Sequence, residues 1–512
     1  MDDSTTRIVQ RLRAARGQKS PAPQNVKTRA SRQAINQALR STAKLVRTTF
    51  STSRLLDFVS EKELTAQIGH ARAAWPLVVV KELVDNSLDA CEEAGTPPQI
   101  EIVVDPAGIV VTDNGPGIAA ETVASILNFS SRVSSREAYV APDRGAQGNA
   151  LKTLIAVPFV LDGQQGRVEL ASRGIRHDIS LRVDRIRQRP VLDHQQYPEP
   201  SQLVRNGTSV RLHWPNSPSS QDETAATPPS AADEGELEEN ARADRLSPSS
   251  LLHTAKRQFL QIANDFTFLN PHLDLALDWH GERTVVRPTE LTQSKWLPSQ
   301  PTCAHWYRPE HLGRLIAAYI AHDVDRSRDR TVREFVAEFA GLSSTGKQKA
   351  VLEATGLART NLSELASADD LDMPRIEQLL GAMQGHSRRI KPVALGPLGR
   401  QHLEQRFAAF GCEMESFRYR RESGETDGLP WIVETAFAWH PKAESRRLIT
   451  GINWSPGIVN PFRELGAFGE SLDSVLQRQR AGRDEPVVLL LHLACPRVAF
   501  ADRGKSTVVV EN

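Results

Sequence analysis

Residues 81–95, KELVDNSLDACEEAG, carry the pattern of a helix with two unlike faces. Polar side chains recur there at offsets of three, four and seven residues and therefore share one stripe of the helix: they are Glu82, Asp85, Asn86 and Asp89. The apolar side chains of the same stretch fall on the opposite side, where they can fill a core. A solvated polar face would show the same spacing, so the role of the stripe depends on the segments that follow it.

An Asp-Gly turn follows the predicted helix. The segment DNGPGI comes directly after the strand-like GIVVT and begins with Asp113. Its glycines, Gly115 and Gly117, can adopt positive φ and leave room for a flat ligand above the backbone. Later in the chain, the strand-like GTSVRL brings Thr208 forward.

A second glycine-bearing loop lies between these two segments. The stretch DRGAQGNALKTL contains Gly145, Gln147 and Gly148 and leads into a predicted helix. Free N–H groups at such a helix start bind phosphate. Each motif alone is typical of an ordinary turn. The order of the acid and amide helix, the Asp-Gly turn, the glycine loop and the Gly-Thr strand is what indicates a nucleotide site.

Charge and cysteine content narrow the class of protein. The chain has 63 basic and 62 acidic residues, which argues against general polyanion binding and restricts any nucleic-acid contact to a local patch. Its four cysteines lie far apart, which excludes a zinc ribbon and disfavours a disulfide framework. No apolar run approaches the roughly 20 residues of a membrane span. These features predict a cytoplasmic protein without membrane contact.

Composition divides the 512 residues into several regions. Residues 1–50 form a basic tail, predicted to be flexible, which either contacts DNA or is a solvated extension. Residues 51–298 have an α/β pattern, interrupted at 215–250 by a Pro-, Ser- and acid-rich stretch predicted to be a disordered insertion. Residues 299–386 show helical periodicity, and 387–512 show strands flanking a helix.

The four ordered motifs resemble those of the GHKL ATPase superfamily with its Bergerat-type nucleotide fold. ELVDNSLDACEEAG and DNGPGI resemble more closely the B subunit of topoisomerase VI, the ATPase half of a type IIB enzyme. Further segments agree in the same order over about residues 51–510: FLNPH, RRIKPVALGPLG, PWIVETAFAW and HLACPRVAFADRGKS. The resemblance implies an α/β (α+β) architecture: a GHKL ATPase sandwich, a helix-two-turn-helix insertion and a transducer-type α/β domain.

The resemblance also implies roles for the motif residues. Glu82 is expected to be the general base that polarises the attacking water, and Asn86 to ligate Mg²⁺ through its side-chain oxygen. Asp113, helped by Thr208, is expected to accept a hydrogen bond from the adenine amine of ATP. A turn or helix-cap role for Asp113 is the alternative.

Two further segments have implied roles at the phosphates. Gly145, Gln147 and Gly148 are expected to form a lid over them, although glycines at these positions also suit a simple turn. Lys505, in FADRGKSTVVV, is expected to reach the γ-phosphate from the transducer-type domain and to stabilise charge on the transferred group. Without the resemblance, Lys505 would be interpreted as a solvated loop lysine.

The implied partners are double-stranded DNA and a second copy of this chain in an ATP-dependent dimer, assembled into a heterotetramer with an A-type, DNA-cleaving subunit that has Toprim and winged-helix domains. A nucleoid-associated, cytoplasmic location follows. Basic side chains of the helical region can contact DNA phosphates, although surface solvation explains them equally well: they are Lys347, Lys349, Arg375, Arg388, Arg389 and Lys391.

Three features depart from the family pattern. Ala150 stands where the family has a third lid glycine, the acidic insertion after Trp214 is additional, and Asn512 follows Lys505 without the long stalk helix. Either the chain is truncated or it couples to its partner differently. Two alternative functions therefore remain open: a GHKL clamp with another partner in repair, genome defence or plasmid maintenance, and an ATP-sensing module that does not hydrolyse.

Overall fold

The computed structural model describes residues 58–127, 138–144, 150–184, 186, 189–199, 206–215, 246–325, 327–367, 370–465, 470–501 and 507–509. The basic tail, most of the predicted insertion and four predicted site residues lie outside the described residues: the four are Gly145, Gln147, Gly148 and Lys505. The described residues all fall within one compact unit, Thr52–Asn512.

Eight strands of the described chain form the first sheet, in the order β5-β4-β3-β6-β2-β1-β7-β8. They are β1 Gln99–Asp105, β2 Gly108–Asp113, β3 Gln165–Ser172, β4 Ile175–Asp184, β5 Arg189–Pro198, β6 Thr208–His213, β7 Asp274–Trp279 and β8 Glu282–Val286. Neighbouring strands are antiparallel except for β1 and β7, which are parallel. Ile100, Ile102 and Val104 alternate along β1 and are buried, because successive side chains of a strand point to opposite faces.

Helices cover this sheet: α1 Glu61–Ile68, α2 Trp75–Glu93, α3 Ala120–Ile126, α4 Ala150–Asp162, α5 Pro248–Thr254 and α6 Lys256–Leu269. The predicted helix at 81–95 is the second half of α2, which begins earlier because Pro76 suits the first turn of a helix. Val80, Leu83, Val84 and Leu88 are buried against the sheet, as the periodicity predicts.

The last three residues of the predicted insertion, 248–250, belong to a helix. Helix α5 begins at Pro248, and the Ser247 hydroxyl caps it by accepting a hydrogen bond from the Ser250 N–H at 3.2 Å. The indole of Trp214 donates to the Pro248 carbonyl at 2.6 Å, which fixes the two sides of the insertion next to each other. The predicted boundary at residue 250 is therefore too late by several residues.

Between residues 309 and 386 the described chain is mainly helical. The helices are α7 Pro309–Asp325, α8 Val332–Ala337, α9 Thr345–Thr355 and α10 Met373–His386. Their apolar faces form a separate core that includes Phe335, Phe339 and Leu379. Among the described residues, no helix has both the length and the hydropathy required to cross a membrane.

A second sheet has the order β12-β11-β13-β10-β9. Its strands are β9 Glu413–Thr426, β10 Leu429–Trp439, β11 Arg447–Ile452, β12 Ser455–Pro456 and β13 Val487–Ala494, and its helices are α11 Arg400–Phe410 and α12 Leu472–Arg478. Phe407, Phe417 and Trp454 lie in its core together with residues of α6. The predicted mixed α/β fold class is confirmed.

Candidate active site

The polar stripe of α2 divides into two pairs. The Asn86 side chain is exposed, and Glu82, one turn earlier, keeps a third of its side chain exposed. Asp85 is buried instead: it accepts hydrogen bonds from Lys81 Nζ at 2.9 Å and from Ser455 Oγ at 2.6 Å. The prediction of one uniform stripe is therefore wrong for Asp85. Of the four side chains, those of Glu82 and Asn86 are the more accessible to a ligand.

Asp89 and the unpredicted Glu92 bind a guanidinium. The Arg144 side chain is fully buried and contacts Asp89 Oδ1 at 2.6 Å and both oxygens of Glu92 at 2.6 Å. It also donates to Asn270 Oδ1 at 2.5 Å. Burial opposes the charge on Arg144, but the adjacent carboxylates outweigh burial and raise its pKa. Arg144 is therefore charged, and its contacts join α2 to the loop that follows α6.

Two more groups complete the surroundings of Glu92. Lys295 Nζ lies 2.7 Å from Glu92 Oε2, and His272 Nε2 lies 3.1 Å from Glu92 Oε1. Burial alone would raise the pKa of Glu92, yet Arg144 and Lys295 hold it well below its usual range. Burial and the neighbouring Arg144 lower the pKa of Lys295 to about 8.

We call this arrangement the junction cluster: Lys81, Asp85, Asp89, Glu92, Arg144 and Lys295. It contains three cations and three anions, so each charge in it has a partner of opposite sign. Four members lie on α2, and their pairing with Arg144 and Lys295 was missed in the sequence because these two cations come from segments distant along the chain. The local signals were the four-residue spacing of Lys81 and Asp85 on α2 and the position of Arg144 directly before the glycine loop.

Asp113 lies at the end of β2 in a nest of donors. Its Oδ1 accepts from the backbone N–H groups of Gly115 at 2.8 Å and Thr208 at 3.1 Å, and its Oδ2 accepts from Ser87 Oγ at 3.2 Å. Burial raises the pKa of Asp113, and these hydrogen bonds oppose the rise. A carboxylate offers about four acceptor positions, so Oδ2 can still accept one further donor.

Glycine backbone surrounds this carboxylate. Gly117 has φ +74°, and a Cβ there would lie 2.7 Å from Ser172 Oγ. Gly207 has φ +143°, and a Cβ there would lie 2.1 Å from the Asp113 carbonyl oxygen. Only glycine permits this approach of three chain segments, so the glycines hold the turn and β6 against each other.

The structure thus brings several predicted residues together. Ser87 belongs to α2 and follows Asn86 directly. Its hydrogen bond to Asp113 therefore holds the part of α2 that carries Glu82 and Asn86 next to the Asp113 nest. Thr208 reaches Asp113 through its backbone N–H, whereas its hydroxyl lies 3.4 Å from Ser172 Oγ. Glu82, Asn86, Asp113, Gly115, Gly117 and Thr208 are all carried by α2 and the strand ends beside it.

The side-chain oxygens of Asn86 and Glu82 on α2 suit a hard cation whose other ligands are water and phosphate. Among the described residues, no group of three or more His, Cys, Asp or Glu side chains is placed to hold a metal ion. The exposed amide oxygen of Asn86 with the nearby carboxylate of Glu82 fits Mg²⁺, which keeps most of its water and phosphate ligands.

The chain is similar to a known family of ATPases and to several known proteins. Residues 73–218 match the family described as histidine kinase-, DNA gyrase B-, and HSP90-like ATPase. The B subunit of the type 2 DNA topoisomerase 6 of Archaeoglobus fulgidus is 23% identical over 461 residues, which cover 86% of this chain and 68% of that protein. The resemblance to the topoisomerase VI B subunit is confirmed.

Two further comparisons give a shorter match and a more distant one. The B subunit of the type 2 DNA topoisomerase 6 of Natronomonas pharaonis is 29% identical over 164 residues, 30% of this chain and 20% of that protein. The B subunit of DNA gyrase from Myxococcus xanthus aligns in structure with 88% of this chain and 86% of its own, at 12% identity and a TM-score of 0.32.

Proposed function

We propose that this chain is the ATP-binding and ATP-hydrolysing subunit of a type IIB topoisomerase-like complex. One observation carries the proposal: α2 presents Glu82 and Asn86 next to the Asp113 nest, within the segment that matches the ATPase family. The similarity to the topoisomerase VI B subunit supports the wider role as an ATP-operated gate for duplex DNA.

Adenine recognition would rest on Asp113. Its Oδ2 can accept one more donor, and the exocyclic amine of adenine supplies one. Guanine would present a carbonyl oxygen at the same place, and two acceptors facing each other repel. The N–H groups of Gly115 and Thr208 hold the carboxylate in position.

Hydrolysis would depend on the exposed pair of α2. The Glu82 carboxylate would accept the proton of the attacking water, a role that requires an ionised and accessible side chain. The Asn86 side-chain oxygen would hold Mg²⁺, which when bound offsets the charge of the phosphates. Gly145, Gln147 and Gly148 would donate backbone N–H groups to the phosphates, and Lys505 would stabilise charge on the γ-phosphate.

The proposed partners follow from the same likeness. They are double-stranded DNA, a second copy of the chain and a DNA-cleaving A-type subunit with Toprim and winged-helix domains, in a heterotetramer of the nucleoid in the cytoplasm. ATP would favour the dimer by binding its closed state more tightly than the open one. Arg388 and Lys391, with the basic side chains predicted on the helical region, would contact DNA phosphates.

Replacing the proposed base tests the enzymatic part. Glu82→Ala should bind a non-hydrolysable ATP analogue like the wild type, while phosphate release falls about 100-fold or more because no group accepts the proton. It should also remain dimeric in ATP, as measured by light scattering. Glu377→Ala is the matched control, an exposed glutamate on α10. Normal turnover of Glu82→Ala would refute the assignment of the base.

A second experiment addresses the partner. The full-length protein is purified from its host with a non-hydrolysable ATP analogue, and the bound proteins are identified by mass spectrometry. Recovery of a protein with an acidic metal site and a catalytic tyrosine supports the topoisomerase complex. Recovery of other proteins would assign the same ATP gate to a different complex.

A further inference from the structure

One turn of the second sheet reaches the candidate active site. It joins β11 to β12 through Asn453 and Trp454, and we include in it Ser455, the first residue of β12. Asn453 has φ +49° and Trp454 has φ +65°, a conformation that a large side chain adopts only when its surroundings enforce it. The surroundings of Trp454 enforce it here: the side chain is fully buried, and its indole N–H donates to the Gly396 carbonyl at 3.1 Å.

The turn holds α2 through Ser455. The Ser455 hydroxyl donates to Asp85 Oδ2 at 2.6 Å, and both side chains are buried. Asp85 lies on α2 between Glu82 and Asn86, the proposed base and the proposed metal ligand. A short hydrogen bond to a buried carboxylate fixes this turn of the helix more firmly than packing alone.

The same turn also holds the segment that precedes the glycine loop. Asn453 Nδ2 donates to the Asp143 carbonyl at 3.1 Å. The Trp454 carbonyl accepts from Asn270 Nδ2 at 2.9 Å, and Asn270 Oδ1 in turn accepts from Arg144. Lys295 Nζ lies 4.1 Å from the centre of the Trp454 ring, which adds a cation–π contact from the junction cluster.

We infer that the turn Asn453–Trp454–Ser455 is a positioning element for the ATP reaction. It fixes α2 at Asp85 and the Asp143–Arg144 segment at one place, so the second sheet determines how these two sides of the site are placed. The part of the inference that concerns turnover rests on the proposed function. The part that concerns positioning is independent of it.

The contacts of the turn predict which kinetic constant it affects. The nest around Asp113 is built by Ser87, Gly115 and Thr208, and the turn contacts none of these in the hydrogen bonds of the described chain. Adenine binding should therefore persist without the turn contacts. The placement of Glu82 should change without these contacts. Because a small displacement of a catalytic group slows the chemical step, kcat should fall.

Three variants test the turn. Ser455→Ala removes the bond to Asp85, and Ser455→Thr keeps a hydroxyl there. Asn453→Gly keeps the left-handed backbone but removes the donor to Asp143, together with two hydrogen bonds to the Cys495 backbone. The matched control is Ser416→Ala in β9, whose hydroxyl accepts from the Trp439 N–H at 2.9 Å and donates to the Glu413 carbonyl at 2.5 Å, both within the second sheet. Each full-length protein is measured by amide hydrogen exchange and by phosphate release.

In Ser455→Ala, amide exchange of residues 81–89 should rise about tenfold, and kcat should fall about tenfold with KM for ATP changed less than about twofold. Ser455→Thr should restore both values, and Asn453→Gly should raise exchange in residues 138–144. Unchanged exchange in Ser455→Ala and Asn453→Gly would overturn the inference. So would raised exchange with unchanged kcat. If the wild type releases no phosphate, the proposed function fails, and the exchange comparison alone decides the positioning role.

Discussion

Two buried carboxylates, Glu92 and Glu434, are accommodated in opposite ways. Glu92 is paired with two cations, Arg144 and Lys295, that come from different segments of the chain. Glu434, on β10, accepts hydrogen bonds from the backbone N–H groups of Leu398 at 2.7 Å and Gly399 at 2.9 Å. The Glu434 carboxylate also accepts from the Tyr419 hydroxyl at 2.7 Å and lies 3.2 Å from His492 Nδ1.

The difference shows what each site does for the fold. The junction cluster connects α2 with Arg144, before the glycine loop, and with Lys295, so its charges join parts that lie far apart in the sequence. The Glu434 site instead fixes one loop, Leu398–Gly399, against its own sheet. Removal of one charge should therefore be costly at the junction, whereas the Glu434 site should be sensitive mainly to pH and to single donors.

The largest effect is expected at the junction. Arg144→Met leaves the buried carboxylate of Glu92 and the partly exposed carboxylate of Asp89 with one cation fewer, and should lower the free energy of unfolding by about 3–5 kcal/mol. Urea denaturation measures it. The control is Arg167→Met, whose half-exposed side chain pairs with Asp178 at 2.7 Å and should contribute less than about 1 kcal/mol. Equal losses in the two variants would contradict this account of the cluster.

A pH-dependent effect is expected at Glu434. Burial would raise its pKa, but the hydrogen bonds from His492 and the loop N–H groups outweigh burial and lower the pKa to about 2. A lowered folded-state pKa stabilises the fold above the ordinary value, and this contribution disappears as pH falls from about 4.5 towards 2. It amounts to about 3 kcal/mol for a buried group.

Urea denaturation at pH 7 and pH 3 of the wild type and Glu434→Gln checks this expectation. The wild type should lose more stability on acidification than the variant, because the variant has no carboxylate to protonate at this site. Glu415→Gln, at an exposed position of β9, should behave like the wild type. Parallel pH profiles of the wild type and Glu434→Gln would show that Glu434 titrates normally.

A smaller effect is expected for one donor to Glu434. Tyr419→Phe removes the hydroxyl but keeps the ring, so it should cost about 1.5–2 kcal/mol, the lower part of the range for one hydrogen bond to a charged group. The same denaturation experiment at pH 7 measures it. A loss as large as that of Arg144→Met would mean that the two buried carboxylates respond alike.

Local patterns in the sequence predict much of the candidate site. Helix α2 follows from its apolar periodicity, and the Asp113 turn follows from its glycines, because both signals lie within a few residues of each other. The pairing of Ser455 with Asp85 joins positions 370 residues apart, which no local pattern contains. The burial of Asp85 was missed for the same reason, since spacing on a helix shows which residues share a face but not what covers it.

Nucleotide binding by Asp113→Asn tests the central claim most directly. Equilibrium affinities for non-hydrolysable ATP and GTP analogues are measured for the wild type, this variant and the control Asp178→Asn, in an exposed ion pair of the same sheet. The account predicts that Asp113→Asn weakens ATP-analogue binding about 30-fold or more and loses the preference over the GTP analogue, while the control matches the wild type. Unchanged affinity and preference in Asp113→Asn would contradict the assignment of the adenine site.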